Sequence, residues 1–240
     1  MQKIYLDQAS TSYPKAPSVA QAVYDYLNGS GVNVNRGGYQ AAYSVEEQIF
    51  ETREQLLHLF HFTSGKGKNV IFTPNITTSL NILLKGLLKP GDHVLVSAME
   101  HNAVMRPLVQ LSQNGITFDR IPCRSDGSLL IEKAEELLRP ETRLLVCLHA
   151  SNVCGTMMPL QEIGKFCQKH GLLFILDTAQ TAGVIPIDME ALHIDALAFT
   201  GHKSLRGPQG TGGFLLRSEL VSSIDPLISG GTGSISHTEE

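Results

Sequence analysis

One lysine, Lys203, lies in a stretch whose composition suits chemistry better than packing. Residues 199–213 read FTGHKSLRGPQGTGG, with five glycines, and follow directly on the apolar run 196–199. A lysine just beyond a buried strand, on a glycine-rich loop, can act as a nucleophilic amine. A solvated surface lysine is the alternative, and this stretch alone leaves both interpretations open.

Other polar residues follow apolar runs elsewhere in the chain, namely Thr77, His101, Asn152, Asp177 and Gln180. Each of them has a structural alternative. Thr77 and the next residue can be helix caps, and His101 can be a hydrogen-bonded loop histidine. Asp177 can cap the following segment or pair with a buried cation. Asn152 and Gln180 can be turn residues.

Pyridoxal phosphate accounts for all of these residues together. This cofactor needs a lysine for a Schiff base, an acid at the pyridine nitrogen and a cradle for its phosphate. It also gains from a flat group over its ring and from donors to its phenolic oxygen. The candidates for these roles are, in the same order, Lys203, Asp177, Thr77, His101, and Asn152 with Gln180. A helix N-terminus with hydroxyls suits a phosphate because its first N–H groups are free.

The elements that must position these residues alternate along the chain. Short apolar runs predict strands at 69–72, 93–96, 116–121, 143–149, 172–176, 195–199 and 213–217. Helical spacing of apolar residues predicts helices at 18–27, 41–60, 77–88, 102–114, 130–138 and 160–170. This alternation predicts an α/β fold with a mostly parallel central sheet and helices on both faces. Ligands gather at the carboxyl ends of such strands, where the polar residues lie.

The remaining residues predict a simple domain organisation. Residues 1–16 are expected to form an irregular N-terminal arm, and residues 17–240 one large domain. Within that domain, the glycine- and asparagine-rich residues 31–38 are expected to form a loop.

Composition excludes several classes of protein. With 42% hydrophobic and 18% charged residues, the chain is expected to be globular. A net charge of -4 without a basic run does not favour nucleic acid or an anionic membrane as a partner. No apolar segment reaches transmembrane length, and the N-terminus lacks the apolar core of a signal peptide.

The spacing of the cysteines and histidines indicates the redox state of the thiols and whether a metal site is expected. None of the four cysteines makes a CxxC pair, which favours reduced thiols in a cytoplasmic protein. The nine histidines lack ligand spacing, so no metal site is expected. No GxGxxG follows the first strand, and the glycines around Lys203 do not complete a P-loop.

Seven ordered segments carry a resemblance to a known family. The chain resembles the class V aminotransferases, which are fold-type I pyridoxal phosphate enzymes, and most closely their cysteine desulfurase and selenocysteine lyase branch. The matching segments are residues 5–9 (YLDQA), 35–37 (NRG), 77–81 (TTSLN), 100–102 (EHN), 151–155 (SNVCG), 177–180 (DTAQ) and 200–203 (TGHK).

The resemblance implies a role for each matching residue. Lys203 would form the Schiff base and move the proton, Asp177 would bond the pyridine nitrogen, and His101 would stack on the ring. Gln180 and Asn152 would face the phenolic oxygen, with Asn152 and Ala9 also on the substrate side. The phosphate would be held by Thr77, Thr200, His202 and the backbone at Ile76. Thr232, in a segment that crosses a dimer interface in relatives, would reach the phosphate site of the partner.

The chain also departs from the family pattern. Relatives are longer and carry a small C-terminal domain with the cysteine that attacks the substrate sulfur and an arginine that binds the substrate carboxylate. The sequence ends at Glu240, so that domain is expected to be largely absent from this chain. None of the four cysteines matches the nucleophile, although Cys154 lies close to Asn152. Residues 74–77 read PNIT, where many relatives have a glycine before the threonine.

These observations lead to one main hypothesis and two alternatives. The main one is a homodimeric, cytoplasmic cysteine desulfurase-like enzyme, of which this chain is the cofactor-binding part. It would convert L-cysteine to L-alanine and transfer the sulfur to an enzyme thiol, from which an acceptor protein could take it. The first alternative is another class V aminotransferase or lyase, such as a selenocysteine lyase. The second is a catalytically incomplete fragment that keeps the dimer surface and the cofactor site.

Overall fold

A computed structural model describes residues 4–34 and 38–230 of the chain. Seven strands are found: β1 (Val70–Thr73), β2 (His93–Ser97), β3 (Thr117–Ile121), β4 (Thr142–Leu148), β5 (Leu173–Asp177), β6 (Ala196–Thr200) and β7 (Gly212–Leu216). The α-helices are α1 (Pro17–Asp25), α2 (Gln40–Leu59), α3 (Ile76–Leu87), α4 (Asn102–Ser112), α5 (Leu160–His170) and α6 (Ser218–Val221). Residues 4–16 contain neither helix nor strand.

The strands form one sheet in the order β1-β7-β6-β5-β4-β2-β3. Four neighbouring pairs are parallel, from β3 through β2, β4 and β5 to β6. β7 runs antiparallel to both β1 and β6. The mostly parallel sheet predicted from the alternation of elements is therefore confirmed, with β7 as the one reversed strand.

Helices cover both faces of this sheet, as predicted. Because successive side chains of a strand point to opposite faces, Leu145 of β4 belongs to one apolar cluster and Val146 to another. The first cluster takes in side chains of α2 and α5, and the second takes in side chains of α3 and α4. Burial on both faces explains why the central strands are apolar throughout.

Some predicted boundaries and one helix type were wrong. Residues 130–138 contain a 3₁₀ helix, Ile131–Leu137, in place of an α-helix. This short segment stops before Pro140 and buries only Ala134, so little packing favours a longer regular helix. The first helix continues as a π-helical turn over Tyr26–Ser30. The short helix α6 had no counterpart in the prediction.

The described helices give no sign of a membrane span. Within residues 4–34 and 38–230, none of them combines the length and the apolar character needed to cross a bilayer.

Candidate active site

Five strand ends meet at one edge of the sheet and surround a cavity. Strands β1, β2, β4, β5 and β6 run in the same direction, because β7 is antiparallel to both β1 and β6. The cavity has a volume of about 250 Å³. Nine residues proposed from the sequence line it: Ile76, Thr77, His101, Asn152, Asp177, Gln180, Thr200, His202 and Lys203.

Two predicted site residues do not line the cavity. Ala9 lies one hydrogen bond away, since its carbonyl oxygen accepts from Gln180 Nε2 at 3.1 Å. Thr232 lies outside the described residues, as does the segment 35–37 that contributed to the resemblance.

Lys203 stands half-buried on the loop that follows β6. Burial lowers the pKa of its amine, and the nearby Asp177 acts in the opposite direction. The loop begins with Gly201, whose N–H donates to Thr211 O at 2.8 Å. A Cβ at Gly201 would lie 2.1 Å from Thr211 Oγ1, so only glycine allows this close approach.

Asp177 is the last residue of β5 and is buried, with 4% of its surface exposed. Its Oδ1 accepts a hydrogen bond of 2.8 Å from Ala179 N. Burial raises the pKa of this carboxyl, while the bond from Ala179 and electrostatic interactions with His101 and Lys203 act to lower it. A buried carboxyl that faces a cavity is suited to binding a cationic N–H group there.

His101 is the N-cap of α4, and its ring is fixed by a hydrogen bond from that helix. Its Nδ1 accepts a hydrogen bond of 3.0 Å from Ala103 N. The acceptor role of Nδ1 assigns the ring proton to Nε2. The exposed face of this ring lines the cavity from the end of β2, where it can lie over a planar ligand.

The cap of α3 is Asn75, and neither threonine has that role. Asn75 Oδ1 accepts from Thr78 N at 2.9 Å. The cap satisfies one of the free N–H groups of the first turn and leaves those of Ile76 and Thr77 for another acceptor. Asn75, in the segment that departs from the family pattern, thus supplies the cap, and the helix end presents N–H groups and the Thr77 hydroxyl to the cavity.

The N-terminal arm holds the loop that carries His202. The carbonyl oxygen of His202 accepts hydrogen bonds from Ser12 N, Thr11 Oγ1 and Lys15 Nζ at 2.9–3.0 Å. His202 Nδ1 also lies 3.1 Å from Thr11 Oγ1. Burial, with the charges of Lys203 and Lys15, lowers the pKa of the His202 imidazole. The hydrogen bonds of Thr11 and Lys15 with His202 were not predicted from the sequence.

The four cysteines are free thiols, and none of them lines the cavity. Cys154 is exposed, and hydrogen bonds with Ser151 and Thr156 lower its pKa to about 7. Burial raises the pKa of the Cys147 and Cys167 thiols well above the ordinary value. Across the part of the chain that the structure describes, no group of three or more His, Cys, Asp or Glu could hold a metal ion.

The set of groups around the cavity fits pyridoxal phosphate chemically. An amine, a buried acid, an imidazole face and a helix N-terminus with hydroxyls surround one space. These are the groups that the cofactor requires for attachment, for its ring nitrogen and for its phosphate.

The comparison with known proteins agrees with the geometry. The family model "Aminotransferase class-V" matches residues 4–239. A probable cysteine desulfurase of Methanothermobacter thermautotrophicus is 31% identical over 95% of this chain and 56% of its own length.

Two solved structures are similar to this chain over most of its length. One is the apo structure of a cysteine desulfurase from Thermococcus onnurineus NA1, with a TM-score of 0.88, 29% identity, and coverage of 95% of this chain and 57% of that one. The other is SspA in complex with cysteine, with a TM-score of 0.87, 27% identity, and coverage of 95% and 65%. The chain therefore spans little more than half the length of the desulfurases that it matches.

Proposed function

Because the chain belongs to the aminotransferase class-V family, we propose that it is the cofactor-binding part of a pyridoxal-phosphate-dependent, cysteine desulfurase-like enzyme. The observation that carries this proposal is the placement of Lys203 and Asp177 in one cavity at the carboxyl edge of the sheet. The reaction would be the conversion of L-cysteine to L-alanine with transfer of sulfur to a thiol.

Lys203, Asp177 and His101 each have a separate role in this proposal. When bound, pyridoxal phosphate supplies an electron sink for the bonds at the substrate α-carbon. Lys203 attaches the cofactor and moves the proton at the α-carbon, because burial favours the neutral form of its amine. Asp177 holds the proton of the pyridine nitrogen, and the His101 ring covers one face.

The other polar residues orient the two ends of the cofactor. The N–H groups at the start of α3, with Thr77, Thr200 and His202, bind the phosphate. Gln180 and Asn152 donate to the phenolic oxygen, and Asn152 together with Ala9 contacts the substrate.

Cysteine is the favoured substrate for two reasons. The matched relatives are cysteine desulfurases, and one similar structure contains cysteine. In the balanced reaction, the sulfur of cysteine passes to a thiol, which becomes a persulfide, while the substrate carbon takes up a proton and leaves as alanine. None of the four cysteines lines the cavity, so the accepting thiol is not assigned within this chain.

The proposal also includes the domain organisation, the oligomeric state, the sulfur acceptor and the location of the enzyme. Residues 17–240 form the cofactor domain after an N-terminal arm. The protein acts as a homodimer in which Thr232 reaches the phosphate site of the partner, and the persulfide passes to an acceptor protein. Free cysteines in the described chain support a reducing, cytoplasmic location.

A second candidate function follows from the observation that no cysteine lines the cavity. A class V aminotransferase or lyase, such as a selenocysteine lyase, uses the same cofactor groups without a nucleophilic cysteine of this chain. The third possibility is a fragment that binds the cofactor without turnover.

One experiment separates these possibilities. The 240-residue chain is incubated with pyridoxal phosphate, L-cysteine and excess dithiothreitol as the thiol acceptor, and alanine and sulfide are quantified. We expect alanine and sulfide in equal amounts, with both lost in Lys203→Ala and kept in Lys165→Ala on the exposed face of α5. Sulfide with pyruvate and ammonia in place of alanine would favour another reaction of the family. A cofactor adduct without either product would identify a fragment lacking turnover.

A further inference from the structure

The carboxyl of Glu100 lies buried beside the cavity, between the ends of β2 and β4. Its Oε1 accepts a hydrogen bond of 2.9 Å from Leu148 N and a second bond from Ser97 Oγ. Its Oε2 is buried and has no hydrogen-bond partner among the described residues. Leu148 lines the cavity, and the next residue after Glu100 is the ring-covering His101. The side chain thus links two strand ends that form the cavity wall.

The titratable groups that face this carboxyl are all acids. Asp177 comes from β5, Cys147 from β4, and Cys123 from the segment after β3. Burial, assisted by the charge of Asp177, raises the pKa of Glu100 to about 8, against the effect of its two hydrogen bonds. Full burial of Cys147 and partial burial of Cys123 also raise the pKa values of these thiols. With a pKa of about 8, Glu100 is mostly uncharged at pH 7.

We propose that Glu100 is a positioning residue for the cofactor, whose carboxyl fixes the end of β2 on β4 beside Asp177, the acid that would meet the pyridine nitrogen. This inference rests on the proposed function. It deepens that function, because it assigns a group that controls the charge at the pyridine nitrogen. Ionisation of Glu100 places a second negative charge beside Asp177 and stabilises the cationic form of the bound cofactor.

A purely structural role makes a different prediction. If Glu100 only joined two strand ends, its ionisation would leave the cofactor unchanged. A glutamine keeps the size of the side chain and an oxygen that can accept from Leu148 N, but it cannot ionise. The glutamine variant therefore separates the link between the strands from the charge.

The test compares reconstituted wild type, Glu100→Gln and Glu100→Ala, with Glu54→Gln on the exposed side of α2 as a control. The absorption spectrum of the bound cofactor is recorded from about pH 6 to about pH 10, a range that brackets the shifted carboxyl. We expect the spectral transition of the cofactor to have a lower pH midpoint in Glu100→Gln than in wild type and in Glu54→Gln, because the glutamine cannot supply the negative charge that Glu100 gains near pH 8. Because one buried hydrogen-bonded link is lost, the cofactor Kd should rise about tenfold in Glu100→Ala and stay within about threefold in Glu100→Gln.

The outcomes distinguish this inference from the function on which it rests. Borohydride reduction and peptide mapping first establish whether wild type carries the cofactor on Lys203. An adduct there, with superimposable titrations of wild type and Glu100→Gln, overturns the role of Glu100 and leaves the proposed function intact. The absence of any adduct in wild type overturns both.

Discussion

The carboxyl of Asp177 and the amine of Lys203 face one cavity from adjacent parallel strands. Asp177 ends β5, and Lys203 follows the end of β6 at Thr200. Burial raises the pKa of the acid and lowers that of the amine, so each group is shifted towards its neutral form. Their opposite charges partly offset both shifts. An acid and an amine therefore line the same cavity, where both can contact one ligand.

Asp177→Asn should weaken cofactor binding. The variant keeps the shape of the side chain and removes the charge that would hold a cationic pyridine nitrogen. Because a charge-assisted hydrogen bond contributes about 1.5–3 kcal/mol, the Kd of pyridoxal phosphate should rise by roughly 10- to 100-fold. Fluorescence titration measures this change.

Asp195→Asn is the matched control for that experiment. Asp195 is also a partly buried acid of this sheet, but it accepts from Phe174 N at 2.8 Å and lies near the opposite ends of the strands. Its replacement should affect stability and leave the Kd close to that of wild type. Equal Kd values for wild type and Asp177→Asn would contradict the role given to Asp177.

Thr77→Val and Thr200→Val should selectively weaken binding of the cofactor phosphate. Each change removes one hydroxyl from the cavity wall. Each lost hydrogen bond to a charged group should raise the Kd of pyridoxal phosphate by about tenfold. Binding of pyridoxal, which lacks the phosphate, should be unaffected. Thr52→Val, on the exposed side of α2, serves as a control, and equal losses for both ligands would argue against a phosphate site here.

Gly201→Ala should displace the loop that carries Lys203. The new Cβ would lie 2.1 Å from Thr211 Oγ1 and 3.2 Å from Thr211 Cβ. Such overpacking should lower the free energy of unfolding by about 1–3 kcal/mol, measured by urea denaturation. Adding Thr211→Ala should recover part of this loss. Gly29→Ala, where a Cβ meets nothing within 4 Å, should be nearly neutral, and a loss of similar size there would refute the steric explanation.

Stability should fall in mild acid because of His149. This side chain is 3% exposed, and burial lowers its pKa to about 4. Between about pH 6.5 and pH 4 the unfolded chain takes up a proton that the folded chain resists, so the free energy of unfolding falls as pH falls. At about pH 5 the effect should be about 1–2 kcal/mol.

His149→Gln isolates this contribution from other titrating groups. The difference in unfolding free energy between wild type and variant should shrink from about pH 7 to about pH 5, as urea titrations at each pH would show. His58→Gln, on the exposed side of α2, serves as the control for replacing a surface histidine. If the difference in unfolding free energy between wild type and His149→Gln stayed constant across this pH range, the burial of His149 would not be linked to its protonation.

Much of the fold could be predicted because its strands are apolar on both faces. The seven apolar runs correspond to the seven strands, and alternation with helices indicated a mostly parallel sheet. The reversed direction of β7 was not predicted, because an apolar run such as 213–217 carries no signal for strand direction. The 3₁₀ helix Ile131–Leu137 was missed because apolar spacing over so few residues does not separate the two helix types.

The candidate site was predictable where a polar residue directly follows an apolar run, as Asp177 and Thr200 do at the last positions of β5 and β6. Contacts between distant parts of the chain were not predictable in this way. The bond from Lys15 Nζ to His202 O joins residues 187 positions apart. The role of Glu100 depends on burial between two strands and on a bond from Leu148 N, and its sequence signal was only its place before His101.

The bond between the cofactor and the protein offers the most direct test of the proposed function. The chain is loaded with pyridoxal phosphate, reduced with borohydride, digested and analysed by mass spectrometry, with Lys203→Ala and Lys165→Ala in parallel. We expect a pyridoxyl group on Lys203 in wild type and in Lys165→Ala, and no stoichiometric adduct in Lys203→Ala. A wild-type protein without the adduct, or with it on another lysine, would contradict the assignment of Lys203 as the cofactor-binding amine.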